Sequence, residues 1–375
     1  MIESIKLGNF KAARDLEIST APLTLLAGLN GSGKSTVLQV LGILRQSYVG
    51  NQTKGLLLNG PLVQLGKGKD VLSEWAQSEE ISITLKENQI EFRWVCTSVG
   101  DASQLIFSEQ PQNLPYFIKT QDFQYLQADR IIPRTLYPQV LDETKDKGFL
   151  GAHGEFTPDF LALKQDLDVS EKRRYRNGNI PLTNSLFPKV APTSKLLDQV
   201  AGWLQQLSPG VRLRSTRVQG TDEVILLFNY VGHERGLEAG DYRPTNVGFG
   251  LTYSLPIIVA CLSAPKDSFL LIENPEAHLH PQGQVVLGEL LACCAADGVQ
   301  IILETHSDHV LNGIRLSVKQ KLISPNDVRL QFFTRNVATG DCTTETPSIL
   351  PDGQLTNWPE GFFDQWEKSL SSLLD

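Results

Sequence analysis

The run Gly28-Leu-Asn-Gly-Ser-Gly-Lys-Ser35 constrains this chain more than any other. It fits GxxxxGK[ST] once, directly after the apolar run Leu23 to Ala27 and before a helical pattern over Thr36 to Tyr48. Glycines let such a loop curl so that its N–H groups face inward, and the following helix adds positive potential at its amino end. An anion, specifically a phosphate chain, is what that arrangement attracts. Lys34 would reach the outer phosphates and the Ser35 hydroxyl could ligate Mg²⁺, with Gly28, Asn30, Gly31, Ser32, Gly33 and Thr36 completing the cradle. A strand, a tight loop and a helix in that order predict an α/β fold.

The second half of such a site needs acids at the end of an apolar strand, one on the metal side and another group to orient water. Phe269-Leu-Leu-Ile-Glu-Asn-Pro-Glu276 has that form, with Glu273 in the metal-side position. Leu303-Glu-Thr-His306-Ser repeats it with a histidine beside hydroxyls, placed to touch a γ-phosphate. His278, His280, His306 and His309 fall near Glu273, Glu276 and Glu304, yet HxH on a turn and HxxH at a helix start are not catalytic zinc spacings, and no dedicated transition-metal site is expected.

The 375 residues amount to about two to three domain equivalents, and 41% hydrophobic with 20% charged residues excludes global disorder. A net charge of −8 argues against a surface that coats nucleic acid. Five cysteines without a CxxC pair suggest neither a disulfide framework nor a zinc ribbon, and the start lacks the pattern of a signal peptide. With apolar runs too short to span a bilayer, a cytoplasmic protein without membrane contact is expected.

Ser4 to Phe10 and Leu16 to Ile18 read as strands, and Glu80 to Val95 as an antiparallel hairpin joined at Asn88. Residues 110–235, rich in Pro, Gly, Arg and Asn, read as an insertion with one amphipathic helix, Ser194 to Leu207, and one strand, Val224 to Tyr230. They divide an amino-terminal lobe, 1–109, from a carboxyl-terminal lobe, 236–375, in which Phe269 to Ile272, a helix over Gln282 to Ala296, and Gln300 to Leu303 imply parallel strands.

Together with Asn246-Val-Gly-Phe-Gly-Leu-Thr-Tyr and Glu304-Thr-His-Ser-Asp, these motifs resemble the P-loop ABC-type ATPase heads of the RecF, SMC and overcoming-lysogenization-defect (OLD) group. The stretches Phe123-Gln-Tyr-Leu-Gln-Ala-Asp-Arg-Ile-Ile-Pro and Trp358-Pro-Glu-Gly-Phe-Phe-Asp-Gln are similar to stand-alone bacterial ATPases that carry an uncharacterised carboxyl-terminal domain and often sit in defence operons. The resemblance implies a mixed sheet with central parallel strands, an antiparallel subdomain, a compact insertion and no long coiled coil. It also implies ATP and Mg²⁺ as ligands, His306 as the switch histidine, and Gln64 as a lobe-linking, metal-side glutamine. Asn246, Gly248 and Gly250 would bind the partner subunit's ATP in a head-to-tail homodimer.

One departure bears on catalysis: the usual aspartate–glutamate pair is Glu273-Asn274, and an amide cannot accept the proton that a general base takes. Glu276 would then contribute, with slow turnover. The expected function is a nucleotide-gated ATPase dimer that controls a separate effector, such as a nuclease or toxin, in anti-phage defence. A RecF-like DNA-repair ATPase and a non-hydrolysing ATP-gated scaffold are the alternatives. Lys172-Arg-Arg-Tyr-Arg176, with Arg212, Arg214 and Arg217, is a candidate nucleic-acid contact through Lys172, Arg173, Arg174 and Arg176, while Arg130 and Arg134 would reach nucleotide or brace the lobes. Phe362, Phe363, Trp366 and Leu370 read as a packing face of the tail.

Overall fold

Alternating apolar residues near the amino terminus produce strands with one buried face. In the computed structural model, which describes residues 1–50, 54–140, 149–176, 191–230, 240–336, 339–363 and 365–374, Ile2–Phe10 pairs antiparallel with Ala13–Ser19 on one side and Glu80–Glu87 on the other. Ile90–Ser98, Gln104–Glu109 and Gly55–Leu57 extend the same antiparallel sheet. The expected hairpin forms here. Asn88 and Gln89 both take positive φ, 51° and 64°, the backbone of a type I′ turn whose twist matches that of its strands.

Contacts group the chain into two units. The first, Met1–Thr120 with Gln300–Asp308 and Val318–Asp375, also holds the strand that feeds the glycine loop. Leu23–Gly28 lies between two parallel neighbours, Gln300–Glu304 and Val328–Arg335, and Cys342–Glu345 runs antiparallel beside the latter. A strand flanked in this way has no solvent face, and Leu23, Leu25, Leu26 and Ala27 are fully buried. Helix Lys34–Val49 follows it after the glycine loop. In the tail, Phe362 is buried edge-on against Phe332, with ring centroids 5.1 Å apart, and Trp358 is half-exposed. The Trp366 side chain lies outside the described residues, as does the expected boundary at 235.

The second unit comprises Gln121–Val299 and His309–Ser317. Phe269–Glu273 pairs parallel with Phe123–Leu126. Helix Phe249–Ser263 is buried continuously from Leu251 to Leu262, so it reads as apolar all round rather than amphipathic. Helix Leu196–Leu207 has a clear apolar face and packs on it. Val211–Arg217, Glu223–Tyr230 and the short Tyr137–Pro138 make a small antiparallel sheet. No helix among the described residues is long and apolar enough to cross a membrane.

Candidate functional site

The loop between strand Leu23–Gly28 and helix Lys34–Val49 carries the expected phosphate-binding residues of the first unit. Gly28 has φ 143°, and a Cβ there would lie 2.3 Å from the Phe333 carbonyl oxygen, so only glycine lets the loop leave the sheet at this point. Lys34 turns back into the loop it follows. Its Nζ donates to the carbonyls of Gly28 at 3.0 Å and Leu29 at 2.9 Å, and it lies 3.7 Å from Glu304 Oε1. Both charged groups are buried, with the lysine 3% exposed, and the ion pair offsets the cost of removing them from water.

Around that lysine lies a cleft of about 600 Å³, lined by Asn30, Gly31, Gly33, Lys34, Ser35 and Thr36 with Glu304. The same cleft receives Lys11 from a turn, Lys69 from the short helix Gly68–Val71, Trp75 from a turn and Arg335 from a strand end, and these form no contiguous pattern in the sequence. Ser32 instead lines an adjoining cleft of about 580 Å³ with Leu29, Trp75 and Phe333. Burial lowers the Lys11 ammonium from the usual lysine range, and its Nζ donates to Gln39 Oε1 at 2.8 Å. The residues present fit a polyphosphate with Mg²⁺. The cleft offers three ammonium groups, a glycine-rich backbone and the partly exposed Ser35 hydroxyl within one cavity of nucleotide size. His306 follows the end of strand Gln300–Glu304 and is exposed, and Gln64 is exposed in a turn bridged to Asn59 and is not among the residues lining the cleft.

A second group of the expected residues lies within the other unit. Glu273 ends its strand with both carboxylate oxygens engaged: Tyr125 Oη donates to Oε1 at 2.5 Å and the Ala128 N–H to Oε2 at 3.0 Å. These bonds aim the carboxylate. Asn274, next along, has φ 41°, and its side-chain Oδ1 is buried without a hydrogen-bond partner among the described residues. The chain then turns through Glu276 to His278, whose φ is 62°. Phe249 and Tyr253, on the helix capped by Gly248, hold the His278 ring between them at centroid distances of 4.5 and 4.8 Å. A Cβ on Gly250 would sit 2.5 Å from the His278 carbonyl oxygen. Asn246 and Gly248 are exposed.

Arg130 does not face solvent. It is 3% exposed, and burial lowers its guanidinium to about 10 against the opposing pull of Tyr253, Glu276 and Glu273. Arg134 is exposed. In the basic run, Arg173 overturns the expected nucleic-acid contact at that position. The 3-10 turn Glu171–Arg173 carries it inward, where it is 2% exposed and pairs with the equally buried Asp297 at 2.8 Å, its Nη1 donating to the Cys261 carbonyl at 3.1 Å. Lys172 is exposed and donates to the Ala296 carbonyl at 3.1 Å, Arg174 Nε donates to the Val169 carbonyl at 2.9 Å, and Arg176 is exposed. Arg217 forms a two-pronged pair with Asp159 at 2.6 and 2.8 Å, and Arg214 pairs with Asp241 at 2.5 Å. Tyr125 and Tyr253 fall within the stretches that carry the resemblance, yet sequence reasoning gave neither a role, because no motif marks a tyrosine that bonds to a carboxylate or to backbone far away in the chain.

A family model described as "AAA domain, putative AbiEii toxin, Type IV TA system" matches residues 97–312. Others described as "AAA ATPase domain" and "Protein of unknown function (DUF3696)" match residues 1–148 and 323–373. Septu protein PtuA of Bacillus mycoides (strain KBAB4) is 35% identical over 103 residues, which are 24% of this chain and 14% of that protein. The match therefore spans far less than two thirds of that relative. Among solved structures, an SmcHead bound to the C-winged helix domain of ScpA superposes with a TM-score of 0.53 at 14% identity, covering 93% of this chain and 98% of that one. The fold is thus that of an ABC-type ATPase head.

Proposed function

Because this chain belongs to the AAA domain family whose model spans residues 97–312, we propose that it binds ATP with Mg²⁺ and hydrolyses it slowly as a nucleotide-gated homodimer. The dimer controls a separate effector, such as a nuclease, in anti-phage defence. One observation carries the nucleotide reading. Lys34 is buried in the glycine loop, held by two loop carbonyls and Glu304, in a cleft whose other walls supply two more ammonium groups. What supports the defence setting is the resemblance of the sequence stretches together with the identity to Septu protein PtuA.

Gly31, Gly33, Lys34, Ser35 and Thr36 would hold the phosphates and the metal, and Glu273 would supply the metal-side carboxylate. When bound, ATP–Mg²⁺ provides an electrophilic phosphorus and a charged leaving group. Tyr125 and the Ala128 N–H keep the Glu273 carboxylate aimed, since both donate to it. Glu276 takes the proton of the attacking water, a role closed to the Asn274 amide, and His306 orients γ-phosphate oxygens. Asn246, Gly248 and Gly250 present N–H groups to the partner subunit's nucleotide.

Mg²⁺-dependent ATP turnover, with Lys34→Ala as the blank, tests the proposal. Turnover above the blank is expected. Turnover equal to the blank, with ATP still bound, would instead favour the non-hydrolysing scaffold, a reading that the unpartnered Asn274 oxygen supports. The DNA-repair alternative draws no such support from Arg173 and Arg217, which are held in ion pairs with the buried Asp297 and Asp159.

A further inference from the structure

Three segments of the second unit meet at one guanidinium. Arg130 Nη1 donates to the carbonyls of Gln127, at 3.0 Å, and Glu273, Nη2 donates to the Asn274 carbonyl at 2.5 Å, and Nε to the Tyr253 carbonyl at 3.2 Å. The group also lies 4.5 Å from the centroid of the Tyr253 ring. Tyr253 closes the circuit from the other side. Its hydroxyl accepts from the Arg130 N–H at 3.2 Å and donates to the Ala128 carbonyl, while the Ala128 N–H holds Glu273 Oε2.

We propose that Arg130 is a positioning residue that fixes the Glu273–Glu276 turn and locks it to the helix beginning at Gly248. Its effect on turnover rests on the hydrolysis reading above, whereas the mechanical lock does not. The carbonyls of Glu273 and Asn274 are consecutive, and the left-handed backbone at Asn274 lets one fork serve both. A guanidinium is planar, with donors fixed in direction, so it can hold these two carbonyls and a third on the helix together. An ammonium is a point charge and cannot. A displacement at Asn246 to Gly250 is therefore passed through Tyr253 and Arg130 to the acids, in addition to the direct packing on His278.

The test compares full-length wild type with Arg130→Met, Arg130→Lys and Tyr253→Phe by hydrogen exchange, and measures kcat and KM for ATP. In both Arg130 variants, exchange in 246–253 and 273–280 should speed up roughly tenfold or more while 23–36 keeps its wild-type rate. Turnover should fall about 10- to 100-fold in kcat with KM changed by less than about twofold, the magnitude usual when a supporting partner of a reactive group is lost. Tyr253→Phe keeps the ring and removes only the hydroxyl bonds, so it should shift the same two segments by less.

Several outcomes would overturn the proposal. These are unchanged exchange in either segment of Arg130→Met, full rescue by lysine, or a uniform rise in exchange with kcat and affinity falling together. If the Arg130 variants do not fold, Tyr253→Phe decides alone, and unchanged exchange in 273–280 refutes the lock. A wild type that turns over no faster than Lys34→Ala sinks the hydrolysis reading, and exchange then judges the lock by itself.

Discussion

At the scale of single residues, the chemistry of the cleft rests first on Lys34, a cation held where water screens it little. Lys34 donates to two carbonyls and neighbours Glu304, and a bound phosphate would compete for the same ammonium with more charge than either carbonyl. Lys34→Ala is expected to weaken ATP binding by at least about 100-fold, the equivalent of one or two charge-assisted hydrogen bonds, as read by titration calorimetry. Lys11 adds a pH dependence. Burial favours its neutral form, so its charge is lost at lower pH than that of an exposed lysine, and the cation is what attracts an anion. ATP affinity should therefore fall as pH rises into the alkaline range, and Lys11→Gln should flatten that fall. A wild-type affinity with the same profile as the Gln variant would exclude Lys11 from the site.

At the scale of elements, internal ion pairs decide which basic residues remain on the surface. Arg173 and Asp297 are both almost fully buried, so removing one leaves the other charge stranded. Arg173→Met should cost about 3–5 kcal/mol in urea unfolding, and Arg173→Met with Asp297→Leu should recover most of it. A loss below about 1 kcal/mol would mean that the pair is solvated in the native state. The antiparallel hairpin and the strand–loop–helix were legible in the sequence because alternation, turn residues and the glycine spacing are local signals. Strand Val328–Arg335 carried no such mark. Its parallel partner, Leu23–Gly28, is far away in the chain, and its run of buried residues, Leu330 to Phe333, has the continuous pattern of a covered parallel strand rather than an alternating one.

For the whole molecule, the residues that the sequence singles out belong to different contact units: Lys34 and Glu304 to one, Glu273, Asn274 and Gly248 to the other. Under the proposed function, a second copy supplies the Gly248 side of each nucleotide. Glu276→Gln is accordingly expected to bind ATP normally, hydrolyse it poorly and accumulate as a dimer, seen by light scattering after size-exclusion chromatography with ATP and Mg²⁺. Normal turnover in that variant would remove Glu276 from the mechanism.

By itself the sequence determined the glycine loop and the acidic strand end, because each depends on residues adjacent in the chain whose spacing is their chemistry, and the resemblance of its motifs added the head fold and the Asn274 departure. Only the tertiary structure decided that Arg173 points inward, that Lys11, Lys69, Trp75 and Arg335 share a cleft with Lys34, and that Arg130 binds the carbonyls behind Glu273. Arg130 and Glu273 stand 143 residues apart. The burial of a charge and the identity of its partner follow from which distant segments pack together, and no local pattern of residue types encodes that.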